Sequence, residues 1–245
     1  MQTGKPLNIL GVIPARGGSK SVPRKNIAPL LGRPLIAYSI AAAQASQYLT
    51  HFVVSSDDAE ILAVARLYGA RILERPADLA SDTAPTLPVV QHALRTLEAQ
   101  DQLTFDYVVL LQPTTPMRTV ADVDAVIEKL VSTGSDSVVS VCDVDAYHPA
   151  RMRRIVDDQL VELPIREPKE MARRQDLEPI YIRNGAIYAV RREVILEQNS
   201  MIGTVSRPYI MPVAQSVNID SPLDMLLAQH LMQPADYEHI PILKA

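Results

Sequence analysis

The sequence predicts a three-layer, doubly wound α/β fold, in which helices cover both faces of a mostly parallel sheet. Apolar runs of strand length alternate with segments of helical periodicity along most of the 245 residues. The chain is 47% hydrophobic and 21% charged, which allows one large buried core without the support of disulfides. We therefore expect a single domain over residues 1–245, interrupted by one insert at about residues 145–182.

The alternation begins with a buried strand at Asn8–Ile13 and a helix at Pro34–Ser46, which has proline in its first turn. Further strands are expected at His51–Ser55, Arg71–Leu73, Tyr107–Leu111, Ser137–Val141, Ala186–Val190 and around Tyr209–Pro212. Further helices are expected at Ala59–Tyr68, Pro85–Ala99, Val120–Ser132, from Arg191, and at Pro222–Met232. Strands separated by helices in this way favour parallel pairing.

The alternation stops at about Asp145. Arg151–Pro179 is rich in arginine, proline and other charged residues, and its periodicity is weak. Such a segment is a poor core element, so we expect it to protrude as a lid or as a contact between subunits.

The loop after the first strand has the composition of a phosphate site. Two glycines let the backbone approach an oxyanion, and four cations lie close by in sequence: Arg16, Lys20, Arg24 and Lys25. The spacing matches neither the phosphate loop G-x-x-x-x-G-K-[ST] nor the dinucleotide fingerprint G-x-G-x-x-G. A solvated basic turn is the alternative interpretation.

Polar residues also follow the second strand, at Ser55–Asp58, and the Tyr107–Leu111 strand, at Gln112–Thr115. Since ligands bind beyond the carboxyl ends of parallel strands, these clusters predict one cleft. A net charge of −4 disfavours broad nucleic-acid binding. No apolar run reaches the ~20 residues of a membrane helix, and the N-terminus leads directly into a strand. With the single cysteine, Cys142, these features favour a soluble protein of the reducing cytoplasm.

Five ordered motifs between Ile9 and His230 resemble those of the acylneuraminate cytidylyltransferases. They are IPARGGSKSVPRKNI (Ile13–Ile27), ERPADLASDTAP (Glu74–Pro85), LLQPTTPMR (Leu110–Arg118), RNGAIYAV (Arg183–Val190) and NIDSPLD (Asn218–Asp224). The resemblance implies a Rossmann-like nucleotidyltransferase fold. It also implies that the anomeric hydroxyl of an acidic nine-carbon keto-sugar attacks the α-phosphorus of CTP, giving a CMP-sugar and pyrophosphate, with Mg²⁺, or alternatively Mn²⁺, as cofactor.

The resemblance further implies roles on the nucleotide side. Arg16 and Lys25 would hold the CTP phosphates, and Arg75 would lie near the cytosine and ribose. Ser81 belongs to the same nucleotide site, although Ser81-Asp82-Thr83 also has the pattern of a helix cap. The loop itself would be shaped by Ala15, Gly17, Gly18, Ser19 and Asn26.

On the acceptor side the resemblance implies contacts from Gln112 and Asn184. Arg174 and Gln175 align with an Arg-Gln pair that meets the sugar carboxylate, and Arg151 matches a family cation. Adjacent arginines allow a shift of that alignment by one, and a solvated run of charges is the alternative. In the family, the segment that corresponds to the insert forms a dimer arm over the neighbouring active site, which implies a homodimer.

The expected metal ligand is Asp220. The family usually has Asp-x-Asp here, and Asn218 replaces the first carboxylate with a neutral amide, so a second ligand at this position is in question. Asp224 is expected in the first turn of the last helix and carries no metal role. The histidines show no metal-ligand spacing.

Two other functions remain open at this point. The same CMP transfer could use an eight-carbon ulosonic acid or a small phosphonate as acceptor. Alternatively, the chain could be a catalytically silent nucleotide-binding regulator, a hypothesis that Asn218 motivates.

Overall fold

A seven-stranded sheet forms the centre of the computed structural model, which describes residues 6–19, 21–81, 84–169 and 171–242. The strands are β1 (Ile9–Pro14), β2 (Pro29–Leu30), β3 (Arg33–Pro34), β4 (His51–Ser56), β5 (Arg71–Glu74), β6 (Tyr107–Leu111), β7 (Ser137–Asp143), β8 (Arg153–Val156), β9 (Gln159–Glu162), β10 (Tyr181–Arg191) and β11 (Ser206–Ile210). The α-helices are α1 (Leu35–Ala45), α2 (Ala59–Leu67), α3 (Thr86–Asp101), α4 (Val120–Thr133), α5 (Arg192–Leu196) and α6 (Pro222–Leu231).

The strand order in the central sheet is β11-β7-β10-β6-β1-β4-β5. Six strands run parallel, and β10 is antiparallel to both of its neighbours, β6 and β7. The expectation of a mostly parallel sheet is therefore confirmed. The carboxyl ends of β1, β4 and β6 lie side by side at one edge of the sheet, which places their following loops together.

Helices cover the sheet on both faces, as the sequence predicts. α1, α2, α4 and α6 contribute to one hydrophobic cluster, and α3 with α5 contributes to the other. Strand β1 shows how alternation supplies both clusters: Ile9 and Ile13 pack on the first face, whereas Leu10 and Val12 pack on the second. Each described helix is too short or too polar to span a lipid bilayer.

The insert contains a two-stranded hairpin, β8–β9, that the sequence reasoning did not predict. Its turn is Asp157-Asp158, and both residues have positive φ, 49° and 61°, as a two-residue hairpin turn requires. All eight strand residues are exposed. As expected, the hairpin contributes no strand residue to the core. It is nevertheless a regular element of secondary structure.

Two strand boundaries also differ from the prediction. β10 begins at Tyr181, five residues before the expected Ala186, because Tyr181–Arg183 pairs with β7 before a bulge interrupts the register. β11 covers Ser206–Ile210, earlier than the expected Tyr209–Pro212, since Ser206 onwards pairs with Ser137 onwards. In both cases the pairing with β7 extends over residues that do not form an apolar run in the sequence.

Candidate active site

The loop after β1 is held against the end of β4 by backbone contacts. Ala15 is fully buried, and its N–H donates to the carbonyl of Ser55 at 2.9 Å. The N–H of Gly17 donates to Asp57 Oδ1 at 3.3 Å. A Cβ at Gly17 would lie 2.5 Å from Asp58 Oδ2 and 2.9 Å from Asp58 Cβ, so only glycine fits there. Of the two glycines in the loop, Gly17 is therefore required by a close approach to Asp58, the residue that caps α2 just after β4.

Asn26 fixes the other end of this loop. Its side chain is buried, and Nδ2 donates to the carbonyl of Arg16 at 2.9 Å. Hydrogen bonds within the protein therefore hold both ends of the described loop. Gly18 is exposed at its tip, and Lys20 lies outside the described residues.

A first cavity of about 310 Å³ opens between this loop, the N-terminal turn of α3 and the residues after β6. Three cations line it together, and all three are among the predicted phosphate and nucleotide ligands: Arg16, Lys25 and Arg75. The remaining polar lining consists of Ser19, Asn26, Thr86, Gln112 and Thr114. The combination of several cations with neutral donors suits a polyanionic ligand.

Arg75 is the most enclosed of the three cations. It is 6% exposed, and its Nη atoms donate to the carbonyl of Leu79 at 3.3 Å and to Asp57 Oδ1 at 3.4 Å. Burial lowers the pKa of Arg75, Asp57 raises it, and the nearby Arg16 lowers it again. Two cations held this close together favour an anion between them. Arg16 also donates to the carbonyl of Ser81 at 3.4 Å.

Lys25 connects the first cavity to the predicted metal ligand. Its Nζ donates to the carbonyl of Ile219 at 2.9 Å and to Asp220 Oδ1 at 3.1 Å. The Lys25 side chain is only 13% exposed, whereas that of Asp220 is 66% exposed. The ammonium group is thus fixed by the protein, while the carboxylate keeps a solvent-facing side.

Arg24, unlike its neighbour Lys25, does not line the first cavity in the described residues. Its guanidinium pairs with Asp58 at 2.5 Å and with Glu60, on the first turn of α2. The hydrogen bond from Arg24 lowers the pKa of Asp58 and makes the larger contribution, whereas burial opposes it. The expectation that Arg24 supplies a phosphate contact is therefore not supported, because its charge is neutralised on the surface.

The interpretation of Ser81-Asp82-Thr83 as a helix cap is also wrong for Ser81. Helix α3 begins at Thr86 after Pro85, and no side chain caps it. The carbonyl of Ser81 instead accepts the N–H of Ala84 at 3.0 Å, in a separate turn. Asp82 and Thr83 lie outside the described residues.

A second cavity of about 420 Å³ adjoins the first, and Gln112 lines both. The other lining residues are Cys142, Ile182, Arg183, Asn184, Gly185, Tyr188, Ser216 and Asn218. Gly185 has φ +79°, and a Cβ on it would lie 3.6 Å from Gln112 Oε1. The bulge of β10 therefore brings the backbone close to the amide of Gln112, at the boundary between the two cavities.

Asn184 lines the second cavity but is already bonded within the protein. Its Oδ1 accepts from Ser140 Oγ at 2.7 Å and from the N–H of Ala186 at 3.1 Å, and its Nδ2 donates to Ser216 Oγ at 2.9 Å. These bonds fix the bulge of β10. A sugar contact from Asn184 stays a prediction.

Asn218 and Asp220 contact each other beside Lys25. Asn218 Nδ2 donates to Asp220 Oδ2 at 2.6 Å, and Asn218 Oδ1 is buried without a hydrogen-bond partner. Asp224, in contrast, caps α6 through Ser221, as expected for an acid in a first helical turn. No cluster of three or more acidic, histidine or cysteine side chains suited to a metal occurs among the residues that the structure describes.

Four buried polar atoms around the two cavities have no hydrogen-bond partner: Ser55 Oγ, Arg75 Nε, Thr114 Oγ1 and Asn218 Oδ1. Unpaired buried polar groups are costly, so they are rare in ordinary cores. Arg75 and Thr114 line the first cavity and Asn218 lines the second, so these three atoms are positioned to meet a ligand.

Arg118 holds together the residues between the two cavities. In the sequence it was noted only as the last residue of the motif LLQPTTPMR, without a role of its own. Its Nη atoms donate to the carbonyl of Ala186 at 2.5 Å, the carbonyl of Gln112 at 2.9 Å, Thr115 Oγ1 at 3.0 Å and Ser39 Oγ. Burial lowers the pKa of Arg118 to about 9. An arginine directly after the polar residues of a strand end is the signal that could have identified it.

The acceptor residues predicted in the insert lie apart from both cavities. Arg151 donates to the carbonyl of Ala172 at 2.9 Å and pairs with Glu167 at 3.3 Å. Arg174 pairs with Asp145. Neither they nor Gln175 belong to the lining of either cavity in the part of the chain that the structure describes. Their contacts with a sugar stay predictions.

Comparison with known proteins gives one consistent result. A family model described as cytidylyltransferase matches residues 10–210. The CMP-N,N'-diacetyllegionaminic acid synthase of Legionella pneumophila is 38% identical over 93% of this chain and 97% of its own length. The N-acylneuraminate cytidylyltransferase of Escherichia coli is 32% identical over 96% of this chain and 54% of its own length.

A similar solved structure is that of CMP:2-keto-3-deoxy-manno-octonic acid synthetase complexed with CTP. It superimposes with a TM-score of 0.68 over 92% of this chain and 98% of that chain, at 18% identity. At this identity the likeness concerns the fold, which agrees with the three-layer arrangement described above.

Proposed function

Because the chain belongs to the cytidylyltransferase family, we propose that it transfers CMP from CTP to an acidic nine-carbon keto-sugar of the sialic, legionaminic or pseudaminic acid type. The relatives confirm the resemblance that the five motifs indicated. The observation that carries the proposal is the pair of adjoining cavities that share Gln112. One is cationic and suits a nucleoside triphosphate, and the other is largely neutral and suits a polar sugar.

The proposed reaction forms one bond and breaks one bond at the α-phosphorus. The anomeric oxygen of the sugar bonds to phosphorus and its hydroxyl proton is released, while the bond to the pyrophosphate oxygen breaks. Transfers of this kind depend on positioning and on stabilising negative charge. Arg16 and Lys25 hold the triphosphate in the first cavity, and Arg75, in the same lining, lies near the cytosine and ribose. Lys25 is rigidly bonded to Ile219 and Asp220, so it stabilises the leaving pyrophosphate without reorganising.

Gln112 orients the acceptor at the boundary of the cavities. Its backbone carbonyl is held by Arg118 at 2.9 Å, which leaves the side-chain amide to face the ligands. Arg118 also holds the carbonyl of Ala186, after the bulge of β10. A single buried guanidinium therefore sets the relative position of two strands that line the acceptor cavity.

The proposed cofactor is Mg²⁺, or alternatively Mn²⁺, and the donor types present fit it. Asp220 offers an exposed carboxylate, and Asn218, whose Nδ2 faces Asp220, would offer its unpaired Oδ1 to the same ion once its amide is turned over. When bound, the ion neutralises phosphate charge. The protein supplies one carboxylate here, so it relies on the nucleotide phosphates for further ligands.

The substitution Asn218→Asp tests this metal assignment. Two neighbouring carboxylates repel each other, so the variant is expected to unfold at a lower temperature in chelator than the native protein and to regain stability when Mg²⁺ is added. The Mg²⁺ concentration for half-maximal turnover is expected to fall. Thermal unfolding and turnover measured over the same Mg²⁺ titration provide the two readouts. Identical titrations for both proteins would show that position 218 does not face the ion.

We further propose that the active form is a homodimer joined through the insert. The hairpin exposes large apolar side chains that nothing in the chain covers in the described residues: Ile155, Val156, Leu160 and Val161. Exposed apolar groups concentrated on one small element are typical of a protein contact.

The test of the proposed reaction is pyrophosphate release from CTP and Mg²⁺ with a panel of acceptors. The panel contains sialic, legionaminic and pseudaminic acids, an eight-carbon ulosonic acid and small phosphonates, with each CMP conjugate identified by mass. A strong product with a nine-carbon acid supports the proposal. Exclusive use of the eight-carbon acid or a phosphonate would overturn the acceptor class, and CTP binding without any product would favour the regulator.

A further inference from the structure

We propose that Arg183 binds the carboxylate of the acidic acceptor, so that the acceptor's charge is recognised from within the same chain. This inference rests on the proposed function and names a residue of the acceptor site. It differs from the expectation based on the motifs, which assigned that role to Arg174 and Gln175 in the insert.

Arg183 is the one cation in the lining of the second cavity, as far as the described residues show. Its neighbours in that lining are neutral, among them Cys142, Ile182 and Tyr188. An acidic ligand in a cavity of otherwise neutral groups needs a cationic partner, because an uncompensated charge is costly to desolvate. The composition of the cavity therefore points to this side chain.

The guanidinium of Arg183 is also available. It is exposed, and it makes no hydrogen bond or ion pair with any residue in the described ranges. Two other cations near the cleft already have partners within the protein. Lys25 forms an ion pair with Asp220, and the Nη atoms of Arg118 donate hydrogen bonds to carbonyl and hydroxyl groups. The insert cations are paired as well, Arg174 with Asp145 and Arg151 with Glu167.

The position of Arg183 on β10 suits the geometry of the acceptor. Its Cα pairs with Val141 of β7, and the bulge at Gly185 separates it from the boundary residue Gln112. The guanidinium also acts electrostatically on Tyr188, another residue of this lining. Burial raises the pKa of Tyr188, and the positive charge of Arg183 opposes that rise.

In a 2-keto acid sugar, the carboxylate and the reacting hydroxyl are on the same carbon. A planar guanidinium that holds both carboxylate oxygens therefore fixes the ring orientation as well as its charge. With the carboxylate on Arg183, the hydroxyl can turn towards Gln112 and the triphosphate cavity. Selectivity for acids over neutral sugars follows from the same contact.

The experiment compares Arg183→Gln and Arg183→Lys with Arg207→Gln, at saturating CTP. Arg207 is a control for the cavity as well as for the charge: it is an exposed arginine on the edge strand β11, lies outside the two cavities of the candidate site, and lines a separate cavity of about 230 Å³ together with Arg183. We expect Arg183→Gln to raise KM for the acid by about tenfold or more, since a charge-assisted contact is lost. Arg183→Lys should retain part of the affinity, and Arg207→Gln and all KM values for CTP should stay near those of the native protein.

A second measurement uses the acceptor carboxamide in place of the acid. In the native protein the carboxamide should bind more weakly than the acid, and Arg183→Gln should remove that difference. An unchanged KM for the acid in Arg183→Gln, or an undiminished preference for the acid over its carboxamide, would overturn the inference. A loss produced by Arg174→Gln alone would overturn it too.

Failure of the proposed reaction is distinguishable from failure of this inference. If the native protein forms no CMP conjugate, the proposed function fails, and the dissociation constants of acid and carboxamide are then measured directly by calorimetry in the presence of CTP. Preferential binding of the acid that disappears in Arg183→Gln still supports the Arg183 contact. Equal binding of acid and carboxamide by the native protein contradicts it.

Discussion

Two regions of this chain are rich in arginine and lysine, and they use these residues in opposite ways. In the loop after β1, Arg16 and Lys25 point into a cleft whose backbone is anchored by buried residues. In the insert, cations pair with nearby acids on the surface, as Arg166 does with Glu162 at 3.0 Å and Arg173 with Asp176 at 3.2 Å.

The difference shows that density of charge does not by itself make a binding site. The loop cations are directed by β1, β4 and β6, whose ends converge, so their charges act on the same volume. All strand residues of the hairpin are exposed, and its ion pairs, Arg153–Glu162 and Arg166–Glu162, are exposed and weak. Substitutions at Lys25, Arg118, Asp58 and Leu160 test this contrast, in order of decreasing expected effect.

The largest effect is expected from Lys25→Ala. The variant removes a fixed ammonium group from the leaving phosphates, so turnover should fall by about 10²–10³. Its thermal midpoint should change little, because the pair with Asp220 is partly solvated.

The adjacent Arg24→Gln is the matched control for Lys25→Ala. Arg24 pairs with Asp58 and Glu60 outside the cavity, so turnover should stay within a few-fold of the native value. Equal losses in the two variants would contradict the assigned difference between directed and surface-paired cations.

The next effect is on stability, from Arg118→Met. The substitution removes the Arg118 donors to the carbonyls of Gln112 and Ala186; the Gln112 oxygen still accepts from Thr115 Oγ1 at 3.1 Å, so most of the loss falls on Ala186 and on the rest of the Arg118 network. We expect the free energy of unfolding to fall by about 3 kcal/mol, and Arg207→Met, on the exposed edge strand, to lower it by less than about 0.5 kcal/mol. Urea denaturation followed by circular dichroism measures both. A native-like midpoint for Arg118→Met would show that the carbonyls find other partners.

The sequence predicted the regions whose structure follows from local pattern. Tyr107–Leu111 is a strand with the predicted bounds, because five successive apolar residues bury on both faces of a sheet. The first loop was predicted as a ligand site because its glycines and cations lie close together in sequence, and the structure places Arg16 and Lys25 in the lining of one cavity.

The features that were missed depend on contacts between distant residues. Arg118 holds Ala186, 68 positions away, through a carbonyl oxygen that no sequence pattern marks. The hairpin β8–β9 has exposed strands, so it lacks the alternation on which strand prediction relies. Its one local signal was the Asp157-Asp158 turn. Arg183 belongs to the motif RNGAIYAV, but the sequence does not show that it lines the second cavity while the other cations pair with acids.

A smaller effect, dependent on pH, is expected from Asp58→Asn. Asparagine can still accept from the N–H groups of Glu60 and Ile61 at the start of α2, so the variant loses only the charge pairing with Arg24. We expect a loss of about 0.5 kcal/mol at neutral pH, since this pair is partly exposed.

The sign of the pH dependence follows from the lowered pKa of Asp58 in the folded chain. The stabilisation is fully present above the unfolded value of 3.8 and is lost as the pH falls through the folded pKa. The stability difference between the native protein and Asp58→Asn should therefore close in strong acid. Urea midpoints measured from pH 7 to pH 3 test this, and a constant difference would show that the Arg24 pair contributes nothing.

The smallest effect on the folded chain is expected from Leu160→Asp, in the exposed hairpin. Leu160 is 75% exposed, so an aspartate there costs the monomer almost no buried area. In a dimer joined through the insert, the same change buries a charge, and light scattering should show a monomer. Gln159→Asp, one residue earlier on β9, adds the same charge without removing an apolar group, and it should leave the dimer largely intact.

This variant also separates the two sources of acceptor recognition. If the monomeric Leu160→Asp keeps the KM of the native protein for the acid, one chain supplies the complete acceptor site, as the contact from Arg183 requires. If KM for the acid rises while KM for CTP is unchanged, the insert of a partner contributes to the acceptor side only. A dimer that persists in Leu160→Asp would contradict the assignment of the hairpin as the contact surface. In each case the nucleotide half, anchored by β1, β4 and β6, should bind CTP as before.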